Sequence, residues 1–287
     1  MTVYFNGQFL AKNEVRISPD DRGFLFADSL YEVIRSYRGQ LFRADDHLER
    51  LRHGVRHLRL SPAGMADLTE VARQLLVNNQ LDAGEATVYI QISRGAARRT
   101  HAFPAPAVPT TVYAAASPFA ENAARDKQHK GIAAITLPDQ RWARCDLKTT
   151  GLTANVLANQ QAGDSGAGEA IFVRDGVLLE GTHTNFMAVL DDVVVTAPLS
   201  NYILGGITRK VVLELCRRLD IPVKERPVFA TEAHLATEMM VVGTTTEVTP
   251  VIRLDARPVG DGNPGPLTRR LQAAFAEEIA LLTAAAR

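Results

Sequence analysis

The chain has 287 residues, 46% of them apolar and 22% charged, with 32 basic and 32 acidic side chains. This composition is ordinary for a soluble globular protein, and the zero net charge gives no argument for nucleic acid or an anionic membrane as a partner. Two cysteines are too few for a disulfide scaffold or a thiolate metal site, no apolar segment approaches the ~20 residues of a membrane span and the opening stretch lacks a signal-peptide pattern, so we expect a cytoplasmic protein without a metal.

The first part of the chain predicts strands interrupted by two helices. VYFNGQFL places Asn6-Gly7 between short apolar runs, which is a strong hairpin signal, and LYEVIRSYRGQLFR repeats this pattern around Arg38-Gly39. A helix follows over DDHLERLRHGVRHLRL, where apolar residues recur at helical spacing, and a second helix lies near Ala66–Asn78. ATVYIQIS and TTVYAAAS are predicted as two further strands.

A polar stretch, PFAENAARDKQHKG, interrupts the pattern of strands and helices. We place an interdomain linker there, at residues 118–130, between a small domain of residues 1–117 and a larger domain of residues 131–287. The larger domain predicts many strands, with turns at Asp175-Gly176 and Asp191-Asp192. Because strands and helices do not alternate strictly, the sequence favours two α+β domains over a parallel doubly wound sheet.

Two predicted strands flank the stretch SRGAARRTHAFP, Ser93 to Pro104, which we call the cationic loop. It contains no acid and four basic side chains: Arg94, Arg98, Arg99 and His101. A cluster of this kind is either a solvated surface patch or a receptor for an anion, and the residues alone leave both interpretations open.

Lys148 differs from the other five lysines of the chain in its surroundings. The others lie at a hairpin edge, in the polar linker or among charged neighbours, where we expect them to be exposed. Lys148 follows RWARCDL and precedes the Thr149–Gly151 turn that opens a helix. A lysine held at such a junction can supply a nucleophilic amine. A surface lysine with its amine in water is the alternative.

The segment LLEGTHTNFMAVL resembles the signature of the class IV pyridoxal-phosphate aminotransferases, in which a glutamate and a glycine precede three small or polar residues, an asparagine and an apolar strand. The resemblance covers most of the chain, and its motifs occur in the expected order. It implies a fold-type IV enzyme with a small N-terminal α/β domain and a larger β-rich C-terminal domain that contains helices. The further similar segments are RGFLFADSLYEVIRSYRG, DHLERL, LKTTGLTANVLA, GGITRKVV and GTTTEVTPVI.

This resemblance implies pyridoxal 5′-phosphate as the cofactor and assigns residues to it. Lys148 is implied to join the cofactor as a Schiff base and to move the substrate proton, and Glu180 to bind the pyridine nitrogen. Arg50, which lies beside the apolar stripe of its helix, matches the phosphate-binding arginine of the family. Helix N-termini and small-residue turns favour anions, although either turn here could be an ordinary cap. The residues implied to bind the phosphate at these turns are Ile207, Thr208, Thr244 and Thr245.

The small domain also resembles one group within the family, the D-amino-acid aminotransferases. Tyr31 in DSLYEV matches their substrate-binding tyrosine, and Arg99-Thr100-His101 has the spacing of their Arg-x-His pair. In that group the pair comes from the neighbouring subunit of a homodimer and binds the substrate carboxylate. The implied activity is ping-pong transfer of an amino group from a D-amino acid such as D-alanine to 2-oxoglutarate, which gives D-glutamate. Whether Arg98 or Arg99 faces the pocket stays open.

Other functions remain as alternatives. FADSLYEV also resembles (R)-selective amine transaminases, and Ala27–Ser29 stands where the family usually has Gly-Asp-Gly. A lyase of the 4-amino-4-deoxychorismate type is a further alternative, whereas branched-chain L-amino-acid transfer would leave the Arg-x-His pair without a role. A regulatory protein that binds the cofactor without chemistry is the alternative from a different class, and the presence of Lys148 and Glu180 argues against it.

Overall fold

The structure, a computed structural model, describes residues 1–61 and 67–284 of the chain. Helices and strands follow one another without strict alternation, as the sequence predicts for an α+β fold. The described chain divides into two units. Met1–Ala120 and Leu147–Gly151 belong to the first unit, and Glu121–Asp146 and Leu152–Leu281 belong to the second.

An antiparallel sheet forms the centre of the first unit. Its strands are β1 (Thr2–Phe5), β2 (Gln8–Ala11), β3 (Ser29–Tyr37), β4 (Gln40–Leu41), β5 (Glu85–Ser93) and β6 (Thr111–Pro118). They lie in the order β2-β1-β6-β5-β3-β4. Both predicted hairpins are confirmed, since Asn6-Gly7 and Arg38-Gly39 connect paired strands with positive φ at all four residues, as tight two-residue turns require.

Three helices belong to the first unit: α1 (Arg22–Phe26), α2 (Ala44–His57) and α3 (Leu68–Asn78). The apolar faces of α2 and α3 are buried with side chains of the sheet in one core. The helix predicted near residues 66–78 is α3, with Asp67 as its N-cap, and Ala66 lies outside the described residues. At Gly54, α2 approaches β3 so closely that a Cβ would lie 2.8 Å from Leu30 Cδ2. This approach brings the side chains of α2 against those of β3.

The segment Leu147–Gly151 is attached to β3. Tyr31 N donates a hydrogen bond to Lys148 O at 3.0 Å, and Thr149 forms an isolated β-bridge with Leu30. The sequence assigns this segment to the domain of residues 131–287, whereas its backbone contacts place it in the first unit. The sequence could not predict this pairing, because β3 lies more than a hundred residues before the segment.

A mixed sheet of ten strands forms the second unit. The strands are β7 (Ile132–Pro138), β8 (Glu169–Arg174), β9 (Val177–Gly181), β10 (Asn185–Leu190), β11 (Val193–Thr196), β12 (Val223–Glu225), β13 (Val228–Phe229), β14 (Glu238–Gly243), β15 (Glu247–Leu254) and β16 (Arg257–Pro258). Successive pairings join β10, β14, β15, β7, β8 and β9, and the pair Asn185–Glu180 joins β9 back to β10. These six strands therefore form a closed ring.

Turns and helices of the second unit complete the fold. The predicted turns at Asp175-Gly176 and Asp191-Asp192 are confirmed, with positive φ at all four residues. The helices are α4 (Glu121–Lys130), α5 (Thr153–Asp164), α6 (Ile207–Arg218) and α7 (Pro266–Ala284). Within the described part of the chain, none of the helices is long and apolar enough to cross a membrane.

Helix α4 occupies most of residues 118–130, where the sequence predicts an irregular linker. Ion pairs at helical i,i+4 spacing join Glu121 to Arg125 and Asp126 to Lys130, and such pairs support a helix. An acid in the first turn and basic residues in the last turn also complement the helix dipole. The helix buries none of its residues, so it lacks the apolar stripe by which a sequence usually indicates a helix.

The two hairpin turns of the first unit offer a test of how closely the β3–β4 turn approaches the backbone of Asp82. Gly39 has φ +82°, and a Cβ there would lie 2.2 Å from Asp82 O, whereas Gly7 has φ +94° with nothing within 4 Å. We expect Gly7→Ala to lower the free energy of unfolding by about 1 kcal/mol and Gly39→Ala by about 3 kcal/mol, because only the second adds a clash to the backbone strain. Denaturant unfolding measures both variants, and equal losses would contradict the close approach.

Candidate active site

Lys148 lies against an aromatic side chain of β3. Its Nζ is 4.3 Å from the ring centroid of Tyr31. The side chain is half-buried, whereas the other five lysines are exposed. Over the residues that the structure describes, no ion pair joins Lys148 to a carboxylate. The structure therefore favours the held lysine over the surface lysine that the sequence left as an alternative.

Tyr31 belongs to a group of polar and aromatic side chains on the same face of the sheet. Its ring stacks on that of Tyr89, with centroids 5.7 Å apart, and the Tyr89 hydroxyl donates to Gln91 Oε1 at 2.7 Å. Burial, with smaller contributions from Tyr31 and Tyr113, raises the pKa of Tyr89 to about 12. The Tyr89 hydroxyl is therefore uncharged, and its ring packs against that of Tyr31. The sequence analysis gave it no role, although β5 pairs residue by residue with β3.

Arg50 is held by a buried carboxylate on the other face of β3. Glu32 accepts hydrogen bonds from Arg50 Nε and Nη2, both at 2.7 Å, and from His47 Nδ1 at 2.8 Å. Burial alone would raise the pKa of Glu32, but the charge and hydrogen bonds of Arg50, together with His47, lower it to about 2. Burial lowers the pKa of His47. Glu32 opposes this effect, whereas the charges of Arg50 and Lys148 add to it. The guanidinium of Arg50 is thus fixed in orientation.

Glu180 is the penultimate residue of β9, and it is buried. Asn185 Nδ2 and Leu204 N each donate to Glu180 Oε2 at 3.0 Å, and Arg141 Nη1 donates to Oε1. Burial alone would lower the pKa of Arg141, but hydrogen bonds to Asp139 and the charge of Glu180 raise it. Three donors therefore orient the carboxylate. Sequence analysis missed Arg141, because the contact depends on a fold that joins residues 39 positions apart.

Asn185 connects Glu180 to the start of α6. Its Nδ2 also donates to Leu204 O at 2.8 Å, and a Cβ on Gly206 would lie 1.9 Å from Asn185 Oδ1. Glycine is therefore required at this position. Helix α6 begins at Ile207, and no side chain caps it. The N–H groups of an uncapped first turn, together with the helix dipole, favour an anion.

A second small-residue turn lies near the same edge of the sheet, because Asn185 pairs with Val242 in the ladder of β10 and β14. Thr244 and Thr245 form the turn between β14 and β15. Beside them the Oγ1 of Thr246 is buried, and it has no hydrogen-bond partner among the residues described. An uncapped helix and an unsatisfied buried hydroxyl at one edge fit a phosphate group.

The cationic loop divides into a buried and an exposed part. Arg94 is 6% exposed and forms an ion pair with Asp28. The absence of acids from the loop therefore does not leave Arg94 without a counter-charge, because Asp28 neutralises it from 66 positions earlier in the chain. Arg98, Arg99 and His101 are exposed, and in the described chain none of the three pairs with an acid.

Arg99 and His101 share contacts with one aromatic ring. The Arg99 guanidinium lies 5.2 Å from the ring centroid of Phe26, and the His101 ring lies 5.8 Å from it. Among the described residues, Arg98 forms no ring contact or hydrogen bond with Phe26 or Tyr31. Within the described chain, neither Arg99 nor His101 forms such a contact with Tyr31. Of the two neighbouring arginines, Arg99 is thus the one placed beside His101.

The predicted site residues therefore occur in three groups. In the first unit, Lys148 lies against Tyr31 of β3, and the next residue of β3, Glu32, binds Arg50. The second unit collects the other cofactor residues at one edge of its sheet. The exposed pair in the cationic loop forms the third group. The members of the second group are Glu180, Ile207, Thr208, Thr244 and Thr245.

Comparison with known proteins points to one family. The family model for class IV amino-transferases matches residues 29–254. The D-alanine aminotransferase of Staphylococcus haemolyticus is 41% identical over 274 residues, which cover 95% of this chain and 96% of the relative. The D-alanine aminotransferase of Bacillus licheniformis is 37% identical over 287 residues, 99% of each chain.

Among solved structures, the branched-chain amino acid aminotransferase of Escherichia coli is similar with a TM-score of 0.89 and 27% identity, covering 96% of this chain and 93% of that chain. This likeness confirms the predicted fold-type IV architecture. The family implies pyridoxal 5′-phosphate as the cofactor, and the uncapped start of α6, the buried Thr246 hydroxyl and the half-buried Lys148 fit this group. On the extent of these matches, the chain belongs to the class IV aminotransferase family.

Proposed function

We propose that the protein is a pyridoxal 5′-phosphate-dependent D-amino-acid transaminase with ping-pong kinetics. It moves the amino group of a D-amino acid such as D-alanine to a 2-oxo acid such as 2-oxoglutarate, which gives D-glutamate. The observation that carries the proposal is the exposed pair of Arg99 and His101, which share one ring and have no acid partner among the residues described. Such a pair suits the carboxylate of an amino acid.

Lys148 and Glu180 would serve the chemistry. When bound, the cofactor withdraws electrons from the substrate Cα and so makes the Cα proton acidic. Lys148 would hold the cofactor covalently, and its Nζ, once released by the substrate, would remove the Cα proton as a general base. Glu180 would bind the pyridine nitrogen, because Arg141 and Asn185 already fix the orientation of its carboxylate.

The phosphate of the cofactor would be bound by cationic and N–H groups. Arg50 suits this role, since its guanidinium is held rigidly by Glu32. The other binding groups would be the first turn of α6 and the turn between β14 and β15. Their residues are Ile207, Thr208, Thr244 and Thr245.

The substrate carboxylate would be bound by Tyr31, Arg99 and His101. A guanidinium can bind a carboxylate by two parallel hydrogen bonds, which fixes the direction of the substrate Cα–H bond. Because neither Arg99 nor His101 contacts Tyr31 within the described chain, we propose a homodimer. In this dimer the cationic loop of one subunit serves the Tyr31 of its partner.

Transfer from branched-chain L-amino acids is the second candidate, because the Escherichia coli structure with a TM-score of 0.89 is such an enzyme. Its identity to this chain is 27%, against 41% for the Staphylococcus haemolyticus D-alanine aminotransferase. Transfer from branched-chain L-amino acids would also leave Arg99 and His101 without a role. We therefore favour D-amino acids as donors.

The position of the covalent link gives the first test. We expect borohydride reduction of the holoenzyme to fix the cofactor on Lys148, because this is the half-buried lysine with no acid partner in the described chain. Peptide mass mapping locates the label. The Lys148→Ala variant serves as the control and should carry none. A label on another lysine of the native enzyme would overturn the proposal.

The donor specificity gives the second test. Both enantiomers of alanine and leucine, and (R)-1-phenylethylamine, are offered with 2-oxoglutarate as the acceptor. We expect D-alanine to be a good donor, and Arg99→Ala to lower kcat/KM for D-alanine roughly 10- to 100-fold, because a charged hydrogen-bond donor to the carboxylate is lost. Turnover of the carboxylate-free amine, if measurable, should change little.

The matched control for this test is Arg98→Ala, which removes the exposed neighbouring arginine and should leave D-alanine turnover near that of the native enzyme. Equal losses in the two variants would mean that Arg99 does not bind the carboxylate. A preference for L-leucine would replace the proposed activity with the second candidate. A preference for the aromatic amine would make the enzyme an (R)-selective amine transaminase.

The ion pair of Glu32 predicts a dependence of stability on pH. Folding lowers the pKa of Glu32 from 4.5 to about 2, so its ionised form stabilises the folded state above pH 4.5 and this stabilisation is lost as the pH falls towards 2. At pH 7 we expect Glu32→Gln to lower the free energy of unfolding by about 3 kcal/mol, because a buried pair is broken.

Denaturant unfolding between pH 7 and pH 3 measures this effect. The difference between the native protein and Glu32→Gln should narrow below pH 4.5. Glu49→Gln is the control, because Glu49 pairs with Arg56 and Arg52 on the exposed face of α2, the helix that carries Arg50, and exposed ion pairs contribute little. A difference that stayed constant down to pH 3 would exclude Glu32 as the cause.

A further inference from the structure

Asp28 lies between two arginines, of which Arg22 contacts the cationic loop and Arg94 belongs to it. Arg22 Nε donates to Asp28 Oδ2 at 2.9 Å, and Arg94 donates through Nε and Nη2 to Oδ2 and Oδ1 at 2.6 and 3.0 Å. Arg22 is 4% exposed and Arg94 is 6% exposed. Buried cations need a charged partner, and Asp28 provides it for both.

The first arginine holds the backbone on either side of His101. Arg22 Nη1 donates to Thr100 O at 2.6 Å, and a longer contact of 3.4 Å reaches Ala102 O. Thr100 is the residue that separates Arg99 from His101. The charged group that Asp28 orients is therefore bound directly to the backbone of the Arg-x-His pair.

The second arginine supports the end of the same segment. The Arg94 guanidinium lies 3.7 Å from the ring centroid of Phe103, and it donates to Leu58 O at 2.7 Å and to Arg59 O at 3.0 Å. These carbonyls follow α2, so the guanidinium connects that helix end to Phe103. The contact with Phe103 is a cation–π interaction between a buried cation and a half-exposed ring.

One ring completes the arrangement. Arg22 lies 4.8 Å from the centroid of Phe26, the ring that also contacts Arg99 and His101. Arg99 and His101 themselves are exposed, so little apolar burial holds them. A segment with few buried contacts keeps its position only through particular interactions of this kind.

We propose that Asp28 is a positioning residue for the substrate carboxylate, because through Arg22 and Arg94 it sets the place of Arg99 and His101 without touching the substrate. This inference rests on the proposed function, in which Arg99 and His101 bind that carboxylate. A loop that samples more positions binds the carboxylate less often, so the loss falls on substrate binding and not on proton transfer.

The test uses the holoenzyme of Asp28→Asn, which keeps the shape of the side chain and removes its charge. Hydrogen exchange measured by mass spectrometry follows the amides of residues 99–103, and steady-state kinetics follow D-alanine. We expect exchange in this segment to become about tenfold faster and KM for D-alanine to rise about tenfold, as for the loss of one charge-assisted hydrogen bond. The value of kcat should stay within about twofold.

Asp20→Asn is the matched control. Asp20 lies eight residues before Asp28 and is exposed. Among the described residues, the hydrogen bond between Asp20 and the cationic loop uses the backbone oxygen of Asp20, which accepts from Ala97 N at 3.2 Å. The same chemical change there should leave both exchange and KM unaltered. Asp28→Glu, which retains the charge, should restore part of the slow exchange and of the low KM.

A second variant covers the case in which Asp28→Asn does not fold. Phe103 is 46% exposed, so Phe103→Ala leaves no buried charge without a partner. It removes the ring over Arg94, and we expect faster exchange at residues 99–103 and a higher KM for D-alanine, each severalfold. Unchanged exchange in Asp28→Asn would overturn the inference, and if that variant does not fold, unchanged exchange in Phe103→Ala would overturn it.

The kinetic result separates this inference from the proposed function. If the native enzyme does not use D-alanine, or if Arg99→Ala leaves KM unchanged, the proposed function fails, while the exchange data still decide whether Asp28 holds the loop. If Arg99→Ala raises KM but Asp28→Asn accelerates exchange without raising KM, the positioning role is refuted. Faster exchange together with a higher KM supports it.

Discussion

The hydrogen bond from Tyr31 N to Lys148 O is the contact on which the candidate site depends. It attaches a segment from the middle of the sequence to β3 and so brings the amine of Lys148 to the ring of Tyr31. Because successive side chains of a strand point to opposite faces, the next residue, Glu32, faces α2 and holds Arg50. One strand thereby positions the lysine, a substrate-binding candidate and a phosphate-binding candidate.

Three carboxylates share one physical role: Glu32 and Glu180, which are buried, and Asp28, which is half-buried. Each loses contact with water, which is costly for a charge, and each is balanced by arginine. Breaking such a pair costs more than the pair contributes, so the geometry around it is strongly specified. In each case the fixed group lies at or beside a residue assigned to cofactor or substrate, so these pairs set positions more than they add stability.

Local signals in the sequence predicted the local structure. Asn6-Gly7 and Asp175-Gly176 specified hairpins because their residues tolerate positive φ, and Lys148 could be selected because its neighbours differ from those of the other lysines. Contacts between residues that are distant in the sequence left no such signal. The carboxylate partner of Arg94 is 66 residues away and that of Arg141 is 39 residues away. The residues that flank an arginine in the sequence therefore could not show whether its charge is neutralised.

The closed ring of six strands in the second unit has a consequence for cofactor loading. Each strand of the ring pairs with two neighbours, although β9 and β10 are joined only by the pair Asn185–Glu180. The groups assigned to the cofactor lie at strand ends and turns, as at Glu180 and Thr244. We therefore expect the strand pairing of the ring to be the same in the apoenzyme and the holoenzyme.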